Sequence, residues 1–438
     1  MKYPERIEIV PLAKPPAATV RVPGSKSITN RALVLAAIAS KGLLCELRGV
    51  LLSEDTKVMM TCLGQLGFDL SLDADGREVT VSLVSNGDIL PIPKPEADLF
   101  VGNSGTTMRF LTALVSALGC GRYRLDGISR MRERPIEDLL AALRQLGVRA
   151  YSERNNGCPP VIVESNGLGS GHVRVRGNVS SQFVSALLMV APEGAGITID
   201  VEGALVSEPY VAMTVALMRR LGFVVQTPSP GRFHIPTQSV WGMPALTIEP
   251  DASAASYFWG AAAVTGGAVT VPGLSRDSIQ GDVRFADLLE QMGCRVERET
   301  ASITVYGGPL RGIDVDMNDI SDTVMTLGAV ALFAEGPTTI RNVAHIRHKE
   351  TDRLAALAAE LSRVGAEVAE FPDGLRITPR PLHGAEVETY NDHRMAMSMA
   401  LVGLKVPGVV IKDPGCVAKT YPNFFSDLEN LRDVSSSR

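Results

Sequence analysis

Aromatic side chains are scarce in this 438-residue chain, at 5% of the sequence. That scarcity argues against a surface built to stack exposed bases. Positive charge is not in excess either: 43 Lys+Arg face 48 Asp+Glu, for a formal net charge of −5. A broad basic nucleic-acid face is thereby excluded, and any anion site has to be a local cluster working against the overall field. The six cysteines (Cys45, Cys62, Cys120, Cys158, Cys294 and Cys416) are scattered, with no C-x-x-C pair. That spacing suits reduced thiols, not a disulfide framework or a zinc site. The most apolar stretch, residues 254–271, is broken by Gly and Thr. It reads as a buried helix followed by a strand, not as a membrane span. The N-terminus leads into no signal-peptide core and is no Arg/Ser-rich transit sequence. These exclusions leave a cytoplasmic enzyme of small molecules, with neither nucleic acid nor membrane as a partner.

What is present is repetition. A small or polar start, an apolar Ala-rich run and a closing Gly recur with glycines at Gly42, Gly121, Gly196, Gly267, Gly336 and Gly408. A second pattern, an amphipathic segment ending in Leu/Met/Val-Gly, closes at Gly67, Gly147, Gly222, Gly293 and Gly365, with Leu431-Arg432 as a degraded sixth copy. Both recur about every 73 residues, and 438 residues are six times 73. Two independent patterns sharing one period predict six units, each helix, strand, amphipathic helix and strand, with further strand material between. The first helix of each unit, such as Phe110-Leu-Thr-Ala-Leu-Val-Ser-Ala-Leu, is apolar all round and belongs in an interior. The second, such as Glu137-Asp-Leu-Leu-Ala-Ala-Leu-Arg, carries charge on one face and belongs at the surface. The last unit runs out without its closing strand. The first 21 residues contain spare strand material, Ile7-Glu-Ile-Val and Thr19-Val-Arg. The N-terminal strand is therefore expected to complete the last unit, and three units per half give two domains split near residues 244–248. Because the closing strand lies within the chain, a monomer is expected.

The starts of the apolar helices are polar and specific: Pro23-Gly-Ser-Lys-Ser-Ile-Thr-Asn-Arg31, Gly102-Asn-Ser-Gly-Thr-Thr-Met-Arg109, Ser180-Ser-Gln182, Ser321-Asp322 and Asn391-Asp-His-Arg394. Helix N-termini carry unpaired N–H groups and about half a positive charge each, so several aimed at one place make an anion site. Lys26, Arg31, Arg109, Arg130, Lys349, Arg353, Arg394 and Lys419 lie in or near such starts. The substrates should therefore carry phosphate and carboxylate groups, which Arg reads bidentately.

Blander explanations fit single segments. Gly-Ser-Lys-Ser lacks the Gly spacing of a Walker loop. Gly167-Leu-Gly-Ser-Gly171 lacks the third Gly of a dinucleotide fingerprint and reads as a turn. His345-Ile-Arg-His348 has no carboxylate or Cys spaced to complete a metal site. Alone, Arg130-Met-Arg-Glu-Arg134 is a solvated charge run, and Lys349-Glu-Thr-Asp-Arg353 an ordinary helix start with Glu350 and Arg353 paired at i,i+3.

Taken together, PGSKSITNRA, GNSGTTMRFL, SRMRERPIEDL, GNVSSQFVSALLM, SEPY, EPDASAASYF, HKETDRL, NDHRMAM and AKTYP resemble the EPSP synthase family of enolpyruvyl transferases. The matches run from residue 23 to 422 in family order. The resemblance implies an α/β fold of two inside-out domains, each of three βαβαββ units with buried helices and outer sheets. Residues 22–247 would form one domain, mainly the shikimate 3-phosphate side. Residues 1–21 and 248–438 would form the other, with much of the phosphoenolpyruvate site. The active site would lie in the cleft between them, and the domains would close about two crossover strands. The implied reaction moves the enolpyruvyl group of phosphoenolpyruvate onto the 5-hydroxyl of shikimate 3-phosphate by addition–elimination, with no metal or other cofactor.

By the same resemblance, Lys26, Asp322 and Glu350 would be catalytic: Lys26 shuttling a proton, Asp322 taking the 5-hydroxyl proton, Glu350 serving the methylene carbon. Lys26, Ser27, Arg31, Ser180, Ser181, Gln182, Ser207, Tyr210, Asp322, His345 and Lys349 would hold shikimate 3-phosphate. Lys26, Gly105, Arg130, Gln182, Arg353, Arg394 and Lys419 would hold phosphoenolpyruvate. Asp55 and His393 would stand behind them. UDP-N-acetylglucosamine enolpyruvyl transferases, which share fold and chemistry, usually have Ala-Lys-Asn at the first motif and a Cys in the loop that here reads Gly127-Ile-Ser-Arg-Met. Here the motif is Ser25-Lys-Ser27 and the loop has no Cys. A non-catalytic member of the fold is opposed by the presence of Lys26, Asp322, Glu350 and Lys419.

Three positions depart from the common pattern. His345 stands where Asn is usual, and Ser104 and Phe110 stand for Ala and Pro on either side of Gly105, the wall against which glyphosate packs in the family. Altered glyphosate inhibition is expected. It is checked by the double substitution Ser104→Ala with Phe110→Pro, and an unchanged inhibition constant would remove the expectation.

Overall fold

A helix that is apolar on every side needs other elements around its whole circumference, and the computed structural model supplies them six times. It describes residues 3–39, 44–73, 78–82, 92, 94–237 and 245–432. The expected closing glycine at 42, and residue 244 at the expected junction, lie outside the described residues. The helices are α1 (Lys26–Ala39), α2 (Glu54–Leu66), α3 (Gly105–Leu118), α4 (Glu137–Gln145), α5 (Ser181–Val190), α6 (Glu208–Arg220), α7 (Ala252–Thr265), α8 (Phe285–Met292), α9 (Val324–Ala331), α10 (Arg353–Arg363), α11 (His393–Gly403) and α12 (Phe424–Glu429).

Odd-numbered helices open the units and are enclosed; every residue of α3 and of α11 is buried. Even-numbered helices bury one face: α4 turns Leu139, Leu140, Ala142 and Leu143 inward and leaves Glu137 and Arg144 outside as an ion pair. The chain divides into two compact units, residues 24–248 and residues 1–23 with 249–438. In the first, α1, α3 and α5 pack on one another; in the second, α7, α9 and α11 do.

The second repeat shows the common topology. Strand Glu96–Phe100 leads through α3 to Cys120–Asp126, its parallel neighbour, and α4 leads to the hairpin Arg149–Ser152 and Val161–Asn166, whose second strand pairs antiparallel with Cys120–Asp126. This is βαβαββ, and it recurs in residues 171–235 and 314–378. Strand Gly171–Arg176 buries Val173 and Val175 and exposes the residues between them, as a sheet with one solvent face requires.

The other three sheets borrow strands. Ala245–Thr247 returns to lie parallel to Leu44–Arg48 and opens the sheet of the first repeat. Ala17–Thr19 lies parallel to Ala268–Pro272 in the fourth. Arg6–Ile9 runs antiparallel to Val409–Lys412 beside Glu386–Val387, closing the last repeat with the N-terminus of the chain. That sheet has three strands where the others have four. Among the described residues no hairpin follows α12, so the sixth unit shows less than the full βαβαββ pattern. Among the described residues no helix is long and apolar enough to cross a membrane, and the six cysteines form no disulfide.

The small residues of the inner helices are spacing devices. Gly260, in the middle of α7, faces α9 and α11 so closely that a β-carbon would lie 2.9 Å from Leu401 Cδ1, 3.2 Å from Thr326 Cγ2 and 3.4 Å from Val330 Cγ2. Gly260→Val should destabilise the protein by about 1–3 kcal/mol through overpacking. The measurement is the urea midpoint, and a midpoint at or above that of the parent would contradict the packing argument.

Candidate active site

In the unit of residues 24–248, the polar helix starts are tied together by one cation. Arg31, on the first turns of α1, is 1% exposed. Its Nε donates to Thr214 Oγ1 (2.7 Å), Nη1 to the Ser27 carbonyl (2.9 Å), and Nη2 to Ser185 Oγ (3.3 Å) and the Tyr210 carbonyl (3.2 Å). These partners come from α1, α5 and α6, and all are neutral. The guanidinium carbon also lies 5.2 Å from the ring centre of Phe110 on α3, a cation–π contact. Burial lowers the Arg31 pKa to about 10, so the group stays charged at neutral pH. A charge buried among neutral groups is a standing attraction for an anion.

Lys26 opens α1 with Nζ 3.4 Å from Asp55 Oδ2, at the start of α2. Ser104 caps α3 by accepting from Thr107 N (3.4 Å). Behind the cap, a β-carbon on Gly105 would run into the Arg134 guanidinium and come within 3.1 Å of Arg109 Nη1. Arg134 Nη1 donates to the Asn103 carbonyl (3.1 Å), and Arg109 Nη2 to the Pro135 carbonyl (2.8 Å). Ser180 caps α5 by accepting from Gln182 N (3.3 Å); Ser181 is buried and Gln182 half-buried. Ser207, buried at the start of α6, has φ 53° and ψ 45°, a left-handed backbone that costs a non-glycine residue free energy. Arg130 is partly exposed and pairs with Glu133 (2.9 Å).

The other unit concentrates charge. Arg353 opens α10 and is 1% exposed. Its Nε donates to Asp392 Oδ2 (2.8 Å), Nη2 to Glu350 Oε2 (2.8 Å) and Asp392 Oδ1 (3.3 Å), and Nη1 to Asp322 Oδ1 (3.3 Å). Burial acts to lower its pKa, but Asp392, Glu350 and Asp322 outweigh that and raise it. Arg394, on α11, donates from Nη2 to Asp322 Oδ2 (2.7 Å) and Ser253 Oγ (3.5 Å), and from Nη1 to Tyr257 Oη (3.3 Å). Burial pushes the Tyr257 phenol up to about 12, so it stays protonated. Asp322 stands in a 3-10 turn, Asn318–Thr323, ahead of α9. Lys419 Nζ lies 3.9 Å from Glu350 Oε1. Asp392, fully buried, caps α11 by accepting from Arg394 N (2.9 Å). His345 lies within a 3-10 turn, Ala344–His348, and Lys349 follows it directly.

Seven residues named from sequence in this unit (Asp322, His345, Lys349, Glu350, Arg353, Arg394, Lys419) thus fall on four short segments, and the named pairs join five of them into one buried network. In the other unit, Arg31 joins Ser27 and Tyr210, whereas the named bonds of Arg130 and Ser180 stay local. Ser104 and Phe110 are 1% and 0% exposed. Ser104 caps the helix that Gly105 opens, and Phe110 lies against Arg31. Among the described residues no three His, Cys, Asp or Glu side chains are grouped to hold a metal ion.

The profile of EPSP synthase (3-phosphoshikimate 1-carboxyvinyltransferase) matches residues 13–428. The chain belongs to the EPSP synthase family. It is 50% identical over 424 residues to a 3-phosphoshikimate 1-carboxyvinyltransferase of Trichormus variabilis, covering 96% of this chain and 98% of that one. It is likewise 50% identical over 432 residues to the enzyme of that name from a Nostoc species, covering 98% and 100%. The solved structure of EPSP synthase from Acinetobacter baumannii superposes with a TM-score of 0.80 at 25% identity, over 97% of this chain and 98% of the other. Family membership makes the protein a transferase, and the inside-out α/β architecture is that of the family.

Sequence reasoning assigned no role to Asp392, Arg134, Tyr257 or Ser253. Asp392 lies in one of the polar helix starts, and its pairing with Arg353 spans 39 residues, which leaves no local signal. His345, the departure from the common Asn, is 6% exposed. Burial, then the neighbouring Lys349, His348 and Arg353, lower its pKa to about 3 against an opposing pull from Asp322. The unfolded chain binds the extra proton between pH 3 and 6.5. The stability this group contributes is therefore fully present above pH 6.5 and lost as pH falls toward 3, by up to about 1.4 kcal/mol per pH unit. His345→Asn should flatten the fall in urea midpoint between pH 6.5 and 4, and parallel curves for the two proteins would contradict the assignment.

Proposed function

We propose that the protein transfers the enolpyruvyl group of phosphoenolpyruvate to the 5-hydroxyl of shikimate 3-phosphate, releasing phosphate, as a step of the shikimate pathway of aromatic amino-acid biosynthesis. The observation that carries this reading is the buried network of the second unit. Three cations, Arg353, Arg394 and Lys419, share two carboxylates, Asp322 and Glu350. Addition–elimination on an enol phosphate needs this combination: cations for a phosphate and a carboxylate, and carboxylates to move protons at carbon and oxygen.

In this reading, Lys26, Ser27, Arg31, Ser180, Ser181, Gln182, Ser207 and Tyr210 serve shikimate 3-phosphate, with His345 and Lys349 from the other unit. The uncompensated charge of Arg31 suits the shikimate carboxylate, and the helix starts at Ser180 and Ser207 suit its phosphate. Gly105, Arg130, Arg353, Arg394 and Lys419 serve phosphoenolpyruvate, and Lys26 and Gln182 reach both substrates. Before substrate arrives, Asp322 is held by two arginines. An incoming phosphate and carboxylate compete for those arginines, which frees Asp322 to accept the 5-hydroxyl proton. Glu350, beside Lys419, serves the methylene carbon: protonation there makes the neighbouring carbon electrophilic, the 5-hydroxyl adds, and loss of a methyl proton expels phosphate. The C–O bond breaks and no phosphoryl group is transferred.

The test is phosphate release from shikimate 3-phosphate and phosphoenolpyruvate without added metal or nucleotide. Release that requires UDP-N-acetylglucosamine instead, or none at all, would defeat the proposal. Asp322→Ala should lower kcat by about 10²–10⁴, the usual worth of a general base, while phosphoenolpyruvate binding persists by calorimetry. Near-normal turnover would remove Asp322 from that role.

A further inference from the structure

Glu360 is a charged residue that the proposed chemistry does not use, yet its side chain is fully buried. It sits on α10 seven residues after Arg353, two turns on and so on the same face of the helix. Its Oε2 accepts from the backbone N–H of Glu388 (3.1 Å) and from Arg363 Nε (2.9 Å), and its Oε1 accepts from Tyr390 Oη (2.8 Å). Burial, together with the bond to Glu360, pushes the Tyr390 phenol up to about 12, so it remains a donor. The segment that Glu360 grips is strained. Tyr390 and Asn391 both take left-handed backbones, with φ 54° and 52°. For a bulky residue such as Tyr this conformation persists only where the surroundings impose it. Immediately after the turn comes Asp392, whose N–H donates to the Thr389 carbonyl (2.8 Å) and whose carboxylate takes both Arg353 and the first turn of α11.

We propose that Glu360 is a positioning residue for the anion-binding arginines: by fixing residues 388–390 it holds the left-handed turn that aims the Asp392 carboxylate at the Arg353 guanidinium and at the backbone N–H of Arg394. The segment ahead of α11 is thereby fastened to α10 at two points on one face, Arg353 at the helix start and Glu360 two turns below. Loss of the lower fastening lets Tyr390-Asn391 relax to an ordinary backbone, which swings the Asp392 carboxylate away and leaves Arg353 to Glu350 and Asp322 alone. The consequence for function rests on Arg353 and Arg394 holding phosphoenolpyruvate; the conformational part does not.

The test uses the full chain in four forms: parent, Glu360→Gln, Tyr390→Phe, and Glu360→Gln combined with Asn391→Gly. Asn391 is exposed, so the glycine changes chiefly the backbone preference, accepting positive φ without cost. KM for phosphoenolpyruvate should rise about tenfold in Glu360→Gln, equivalent to about 1.4 kcal/mol. In Tyr390→Phe, which loses one bond and keeps the buried carboxylate, it should rise by a smaller factor. KM for shikimate 3-phosphate should stay within about twofold of the parent, and Asn391→Gly should recover most of the loss. An unchanged KM for phosphoenolpyruvate, an equal rise in both KM values, or a loss that Asn391→Gly does not recover would each overturn the inference. Hydrogen exchange over residues 388–394 reads the turn without substrate. It should quicken in Glu360→Gln and Tyr390→Phe and slow again with Asn391→Gly, and unchanged exchange overturns the inference even if the parent releases no phosphate. Should Glu360→Gln fail to fold, Tyr390→Phe carries the same comparisons.

Discussion

Arg353 can be buried only because three carboxylates meet it there. Withdrawing a guanidinium from water costs several kcal/mol, and leaving it partly paired costs more still. Its partners arrive from the turn before α9, from the loop before α10 and from the cap of α11. The electrostatics of one side chain therefore fix the relative placement of three helix starts. Packing of α7, α9 and α11 brings the helices together; the ion network decides which residues face one another when they meet. The other unit has its counterpart in Arg31, which binds three helices with neutral acceptors and so keeps its charge uncompensated.

The repeated topology explains why chemistry gathers at helix starts. In a βαβαββ unit the inner helix begins just beyond the carboxyl end of its first strand, where backbone N–H groups are unpaired and point outward. Three such units packed about their inner helices present three starts together. Ser104, Ser180, Asp251 and Asp392 each satisfy an N–H by capping, and residues beside them carry the cations and hydroxyls.

Much of this was legible in the sequence because it rests on periodicity. Six apolar helices, their amphipathic companions and the N-terminal strand that closes the last sheet all follow from spacing and from a missing strand. The i,i+3 pair of Glu350 and Arg353 is also local, and it is present. Contacts set by long-range register were not legible. Nothing in Ala245–Thr247 says that it will lie beside Leu44–Arg48. Glu360 and Arg363 look like a surface pair on an amphipathic helix, and only the passage of residues 388–390 over that face buries the carboxylate. Arg31 announces an anion site by its motif, yet its depth depends on Phe110, Ser185 and Thr214, none of which is near it in sequence.

The borrowed strands also set an order of events during synthesis. Residues 24–248 contain every strand of their three sheets and can close once the segment at 245–247 has emerged. The other unit is split around them. Its strand at 17–19 must wait for the partner at 268–272, and the strand at 6–9 for the partner at 409–412. At about 5–20 residues per second, that second wait is on the order of 20–80 s. The strand at 6–9 is made long before its partner, and through that interval its apolar residues Ile7 and Ile9 are without the sheet they belong to.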